Sequence, residues 1–142
     1  MIGAKIIINV VACVLIRKKK ILISSRPSGK EMSGFYEFPG GKVKKGEFFI
    51  EALSREIFEE LNVKLDLSKI RFLKTEIKYK KKKTIKLVFF DCKRWIGKIK
   101  NNEHQDIQWI YINEINNYRI LESNKEFIRF LKLFYFSNHK LK

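Results

Sequence analysis

A glycine-led loop that runs into a helical pattern, at residues 41–63, constrains the fold of this chain more than any other segment. Four apolar residues of this segment recur at helical spacing: Ile50, Leu53, Ile57 and Leu61. This spacing predicts a helix from about residue 48 to residue 61 with one stripe facing a core. Asn62 is the predicted stop, because Asn tolerates the left-handed backbone that ends many helices.

The same helix carries a cluster of acids. Glu56, Glu59 and Glu60 are three and four positions apart, so they share one side of the helix. Like charges repel there, and the negative end of the helix dipole adds to the cost. A cation would offset that cost, and oxygen ligands in this number favour Mg²⁺ or Mn²⁺.

The alternative is a solvated acidic face, and the composition argues against it. The chain has 31 Lys and Arg against 15 Asp and Glu. Four of these acids fall between Glu51 and Glu60, where there is one Arg and no Lys. Since Lys is abundant almost everywhere else, we favour a metal site.

Length and composition favour one globular domain over residues 1–142, because 45% of the residues are hydrophobic. Cys13 and Cys92 are isolated and form no CxxC pair, which predicts buried thiols in a reducing cytosol. The apolar run at residues 6–16 is too short to span a membrane, so we expect a cytoplasmic protein with no membrane partner. We also expect a monomer.

The net charge of +16 is typical of proteins that bind nucleic acid, an anionic membrane or a polyanionic small substrate. Charge alone does not choose among these, because the Lys residues are scattered. The densest run, Lys78 to Lys83, is interpreted as the solvated tip of a hairpin. Nucleic acid binding therefore stays an alternative that is not favoured.

Short apolar and β-branched runs predict the strands: residues 6–17, 21–25, 71–79, 84–94 and 106–111, with a brief extended piece at 35–38. A last helix is predicted to begin near Ser123 or Asn124. The expected fold class is α+β, with a mixed sheet between two main helices.

Residues 41–63 read Gly41-x5-Glu47-x7-Arg55-Glu56-Ile57-x-Glu59-Glu60-x-Asn62-Val63, which is similar to the Nudix box. Every acid and the arginine of that box are present, and Asn62 stands where the family has Gly. Phe35 to Lys44, FYEFPGGKVK, resembles the approach to the box in the MutT branch, which hydrolyses oxidised purine triphosphates. The resemblance implies an α/β/α sandwich and a Mg²⁺-dependent pyrophosphohydrolase acting on nucleoside triphosphates such as 8-oxo-dGTP.

The resemblance also implies roles for the box residues. Metal ligands would be Glu56, Glu59 and Glu60, with the Gly40 carbonyl and Glu103 of a later loop. Glu56 is the expected base, oriented by Arg55, which pairs with Glu47. Glu103 is the alternative base.

Further residues are implied in substrate binding: Arg26, Glu37, Phe38, Pro39, Gly40 and Asn124. Arg26 would supply a charged hydrogen bond, Phe38 apolar surface under a base, and Asn124 a donor and acceptor for a purine edge. Alternatives remain open: Arg26 as a solvated loop residue, Phe38 as core and Asn124 as a helix N-cap. Glu31 and the Lys82–Lys83 pair depart from the MutT pattern, which leaves the base preference open.

Two other functions stay open. Tyr79 lies 16 residues beyond Val63, near where dinucleoside polyphosphate hydrolases of this family place a stacking tyrosine. The first alternative is therefore a dinucleoside polyphosphate hydrolase. The second is a basic protein that binds nucleic acid or acts on an RNA 5′ end. An ADP-ribose hydrolase is disfavoured, because no Pro follows Pro39.

Overall fold

The computed structural model describes residues 6–26, 29, 31, 33–103 and 105–138. Within them the chain forms nine strands: β1 (Ile6–Arg17), β2 (Lys20–Ser25), β3 (Tyr36–Glu37), β4 (Gly40–Lys42), β5 (Lys64–Leu65), β6 (Ile70–Tyr79), β7 (Lys83–Cys92), β8 (Trp95–Ile96) and β9 (Ile107–Ile110). The helices are α1 (Phe49–Leu61) and α2 (Glu122–Asn138), with two 3-10 turns at Leu67–Lys69 and Ile112–Asn117.

Strand β1 is the centre of the main sheet, whose order is β3-β2-β1-β7-β6. It runs parallel to β7 over ten paired residues, from Ile6 opposite Lys83 to Leu15 opposite Cys92. It runs antiparallel to β2 and β4, while β9 pairs with β2. The combination of parallel and antiparallel pairs confirms the predicted mixed sheet.

Two apolar clusters cover the two faces of this sheet, because side chains alternate along β1. Ala12, Val14 and Ile16 belong to the cluster that α2 completes. Val11, Cys13 and Leu15 belong to the cluster that α1 completes. Each helix therefore covers one face, which confirms the α/β/α sandwich, and both cysteines are buried free thiols as predicted.

Helix α1 ends where the sequence predicts. Asn62 adopts φ +62°, and its N–H donates to the Phe58 carbonyl. Leu53, Ile57 and Leu61 are buried as expected. The prediction for Ile50 is wrong, because the first turn meets the apolar cluster through Phe49 and Ala52, which leaves Ile50 39% exposed.

The predicted hairpin around the Lys run is confirmed as β6 and β7, with Lys80 N–H donating to the Lys83 carbonyl across the turn. Helix α2 begins at Glu122, so Asn124 is its third residue and the N-cap interpretation is wrong. The sequence did not predict β4, β5 and β8, because strands of two or three residues carry no readable periodicity. No helix in the described residues is long and apolar enough to cross a membrane.

Candidate active site

Arg55, on α1, is the hub of an ion-pair network. Its Nε and Nη2 donate to the two carboxylate oxygens of Glu47, at 2.8 and 3.0 Å. Its Nη1 donates to Glu56 at 2.9 Å and to Glu59 at 3.3 Å, and Nη2 also reaches the Lys42 carbonyl at 3.0 Å. These hydrogen bonds raise the pKa of Arg55 and, chiefly through the Arg55 contact, lower the pKa of Glu47 to about 2. The network fixes the loop before α1 to the middle of the helix.

The glycines of β4 allow close approach to this network. A Cβ on Gly41 would overlap the carboxylate of Glu56. A Cβ on Gly40 would overlap the carbonyl oxygen of Val11 in β1. Gly40 and Gly41 thus let the strand lie directly between β1 and the acids of α1.

Four of the five predicted metal ligands line a small pocket of about 210 Å³: Gly40, Glu56, Glu60 and Glu103. The Glu60 residue is only 8% exposed. Burial, followed by the negative charges of Glu103, Glu56 and Glu37, raises the pKa of Glu60 to about 9, although an N–H from Gly40 opposes the shift. Burial also raises the pKa of Glu56.

A short loop brings Glu103 to this pocket by bonding to the end of α1. Lys100 N–H donates to the Leu61 carbonyl at 2.9 Å, and Asn102 N–H donates to the Glu60 carbonyl at 3.0 Å. The side-chain amide of Asn102 donates to the Glu59 carbonyl at 3.2 Å. The backbone of α1 therefore holds the loop, while its side chains form the pocket.

The chemistry of this pocket fits a divalent cation. Its carboxylates are hard oxygen donors, and burial, together with the neighbouring charges of Glu103, Glu56 and Glu37, raises the pKa of Glu60 at their centre. Glu59 lies outside the pocket, 48% exposed and turned to Arg55. Among the described residues, no three acidic, His or Cys side chains already converge as a closed metal centre. The acids share one pocket without meeting at one point.

A larger cavity of about 680 Å³ adjoins the acid-lined pocket, since Arg26, Glu37, Phe38 and Gly40 line both. Six basic side chains line this cavity: Arg26, Lys42, Lys78, Lys80, Lys125 and Arg129. Three acidic side chains also line it: Glu37, Glu122 and Glu126. The excess of positive charge attracts a ligand with anionic groups to this region, beside the acid-lined pocket.

Asn124 stands at the wall of this cavity and is 5% exposed. Its Oδ1 accepts a hydrogen bond from the Phe38 N–H at 3.3 Å, and its Nδ2 donates to the Ser123 hydroxyl at 3.2 Å. Arg26 donates through Nε to the Glu31 carbonyl at 2.9 Å and through Nη1 to Glu37 at 3.4 Å. Both predicted substrate residues are thus held by the protein's own polar groups.

The ring of Phe38 belongs to the core. It packs edge-on against Phe127 and Phe89, with ring centres 5.5 and 6.5 Å away, and the residue is 4% exposed. Pro39 lines the acid-lined pocket beside it. Phe38 therefore lines the cavity with a ring that is packed into the core.

Sequence reasoning missed several lining residues. Gln105 is 5% exposed in the acid-lined pocket, and among the described residues its side-chain oxygen has no hydrogen-bond partner. Its position two residues after Glu103 was the sequence signal that could have indicated a place in this pocket. Lys78 and Glu126 come together only through the pairing of β6 with α2, which no local pattern reveals. His104 lies outside the described residues.

An acid-lined pocket that opens into a basic cavity, on an α/β/α sandwich, is suited to metal-assisted cleavage of phosphate anhydrides. The model of the NUDIX domain family matches residues 7–131, and this chain belongs to that family. Proteins of this family use divalent metal ions and act on nucleotides, which agrees with the resemblance seen in the box.

Two relatives and one solved structure show how similar this chain is to known proteins. The 8-oxo-dGTP diphosphatase of Buchnera aphidicola (subsp. Schizaphis graminum) is 36% identical over 124 residues, which cover 87% of this chain and 92% of the relative. The CTP pyrophosphohydrolase of Escherichia coli K12 is 31% identical over 111 residues, which cover 78% of this chain and 81% of the relative. The solution structure of the E. coli ORF135 protein superposes with a TM-score of 0.81 at 27% identity, covering 94% of each chain.

Proposed function

We propose that residues 1–142 form a single Nudix hydrolase domain that acts as a monomeric, Mg²⁺-dependent nucleoside triphosphate pyrophosphohydrolase of the MutT type. Oxidised purine nucleotides such as 8-oxo-dGTP are the proposed substrates, and the products are the monophosphate and pyrophosphate. The observation that carries this proposal is the shared wall of the two cavities. A phosphate chain in the acid-lined pocket would continue into a nucleoside in the basic cavity.

Glu56, Glu60 and Glu103, with the Gly40 carbonyl, are the proposed ligands of Mg²⁺, and Mn²⁺ suits the same oxygens. A divalent cation held by these oxygens would supply positive charge that offsets the negative charge developing on the phosphate. Glu59 contributes negative charge from outside the pocket and shares Arg55 with Glu56.

Glu56 is the proposed general base, with Glu103 as the alternative. A water oxygen bonds to phosphorus, the bond from phosphorus to the bridging oxygen breaks, and a water proton passes to the glutamate. Arg55 orients Glu56 through the 2.9 Å hydrogen bond, while Glu47 anchors Arg55 from the other side. Gly41 leaves the space that this carboxylate occupies.

The name of the Buchnera relative supports the oxidised guanine nucleotide, and so does Asn124 at the cavity wall, as a donor and acceptor for a purine edge. CTP is the second candidate substrate, since the E. coli CTP pyrophosphohydrolase is 31% identical over most of this chain. The role that follows from the first substrate is removal of mutagenic nucleotides from the precursor pool.

A substrate panel tests the proposal. Purified protein with Mg²⁺ is assayed for pyrophosphate release from 8-oxo-dGTP, dGTP, CTP and diadenosine tetraphosphate. Glu60→Gln is expected to lower kcat by about 10²–10⁴-fold. Glu51→Gln, the same change on an exposed glutamate of α1, is the matched control and should stay near wild type. Absence of pyrophosphate release from every nucleotide would refute the proposal.

A further inference from the structure

A buried carboxylate lies beside the basic cavity and takes no part in the proposed reaction. Lys74, Glu76 and Lys78 share one face of β6, because side chains alternate along a strand. The Glu76 side chain is only 3% exposed. Its Oε2 lies 2.8 Å from the Lys74 ammonium and its Oε1 3.5 Å from the Lys78 ammonium. Lys74 donates a hydrogen bond to Oε2, whereas Oε1 has no hydrogen-bond partner among the described residues and meets Lys78 as an ion pair alone, which still offsets the buried charge.

A second carboxylate, on α2, also holds Lys78. The Lys78 ammonium donates to Glu126 of α2 at 3.3 Å. Lys78 and Glu126 both line the 680 Å³ cavity, and the Lys78 side chain is 24% exposed. A lysine held by acids from two elements has far fewer conformations than a solvated one. Lys78 therefore presents its charge at a defined place on the cavity wall.

The chemistry of an ammonium group limits what it can recognise. It has three N–H donors and no acceptor. Glu76 and Glu126 together engage two of them at most, so one donor remains for a ligand. A donor without acceptor capacity pairs with a carbonyl oxygen and opposes an amino group. Nucleobases divide on this point, since guanine and uracil carry a carbonyl where adenine and cytosine carry an exocyclic amino group.

We propose that Lys78, held by Glu76, is a specificity-determining residue that selects nucleotides with a ring carbonyl over those with an exocyclic amino group at that edge. This inference rests on the proposed function and narrows it. It makes 8-oxo-dGTP and other oxopurine nucleotides better substrates than CTP.

The test uses pairs of nucleotides that exchange a carbonyl for an amino group: ITP with ATP, and UTP with CTP. In each pair we compare kcat/KM for the carbonyl nucleotide with kcat/KM for the amino nucleotide. For the wild-type protein this ratio should be about ten or more. Lys78→Met should bring the ratio to about one, and Lys78→Glu, which offers an acceptor, should invert it. Lys82→Met is the matched control, because Lys82 lies in the exposed turn and does not line the cavity. It should keep the wild-type ratio.

Glu76→Gln tests the positioning role, since the amide keeps the shape and removes the charge. It should lower the ratio by raising KM for ITP several-fold, with kcat within about threefold. Lys74→Arg changes the neighbouring side chain but keeps a cation beside Glu76 and Glu126, so it checks for a general packing effect. It should leave the ratio unchanged.

An unchanged ratio in Lys78→Met overturns the inference. An equal loss for all four nucleotides also overturns it, because Lys78 would then serve the phosphates that they share. Calorimetric binding of IMP and AMP separates this inference from the proposed function. A Lys78-dependent preference for IMP in a protein that hydrolyses no triphosphate would refute the hydrolase proposal and support the role of Lys78.

Discussion

The Phe38 backbone N–H donates to Asn124 Oδ1 at 3.3 Å, which ties the first turn of α2 to the segment that leads into Gly40 and Gly41. The residue proposed to read the base is thereby bonded to the chain that shapes the acid-lined pocket.

Asn124→Ala should weaken both stability and substrate binding. The buried Phe38 N–H loses an acceptor, so the free energy of unfolding should fall by about 1–3 kcal/mol. KM for 8-oxo-dGTP should rise by more than kcat falls, as measured by steady-state kinetics and chemical denaturation. Asn124→Asp keeps the acceptor oxygen and should retain stability while losing the base preference. Asn116→Ala, on an exposed residue, is the control; equal effects from it would contradict the assignment.

Arg55→Lys should be nearly as harmful as Arg55→Ala. A lysine cannot reproduce the two parallel bonds to Glu47 and the simultaneous contact with Glu56. We expect kcat to fall by about 10²-fold or more, with a lower melting temperature. Arg94→Lys, on a side chain that is 73% exposed, is the control. Near-normal kcat in Arg55→Lys would show that charge alone suffices.

Gly41→Ala should damage activity more than folding. The added Cβ overlaps the flexible end of Glu56, so the carboxylate must move while the backbone keeps its course. We expect a kcat loss of about 10²-fold with a small change in melting temperature. Lys45→Ala, at an exposed position in the turn that follows β4, should leave both quantities unchanged. A fully active Gly41→Ala protein would remove Glu56 from its proposed position.

The stability of the metal-free protein should fall as pH rises. The pKa of Glu60 is raised from the model-compound value of 4.5 to about 9 in the folded protein, so the folded state holds this proton more tightly than the unfolded chain. The associated stability is full below pH 4.5 and is lost as pH rises toward 9. Melting temperatures in EDTA between pH 5 and pH 9 measure this loss.

Added Mg²⁺ should reverse the decline, because a cation favours the ionised carboxylate. The rise in melting temperature should be larger at pH 8 than at pH 6. Glu60→Gln should flatten the pH dependence and remove most of the Mg²⁺ effect, whereas Glu51→Gln should keep both. A Glu60→Gln protein with the wild-type pH profile would exclude Glu60 as the source.

Local patterns in the sequence predict most of this fold. The alternation of β1, the stripe of α1 and the Asn62 stop each follow from a few neighbouring residues, and the structure agrees with them. Ile50 fails because packing at the first turn of α1 depends on which side chains the sheet meets. Periodicity contains no such information.

The candidate site divides in the same way. The acids of the box are readable because their chemistry depends on spacing along one helix. The packing of the Phe38 ring against Phe127 and the pairing of Lys78 with Glu126 join residues far apart in sequence. Their roles depend on how α2 lies on the sheet, which only the structure gives.

The bonds of the 100–103 loop to the last carbonyls of α1 have a consequence for how this chain can change in length. One residue more or fewer between β8 and Glu103 would shift Asn102 off its acceptors and move Glu103 away from Glu60. The turn between β6 and β7 has no such link to the acids, so the chain can lengthen there at little cost. In related sequences, insertions should therefore accumulate at the positions of residues 80–82, while the number of residues between α1 and Glu103 stays fixed.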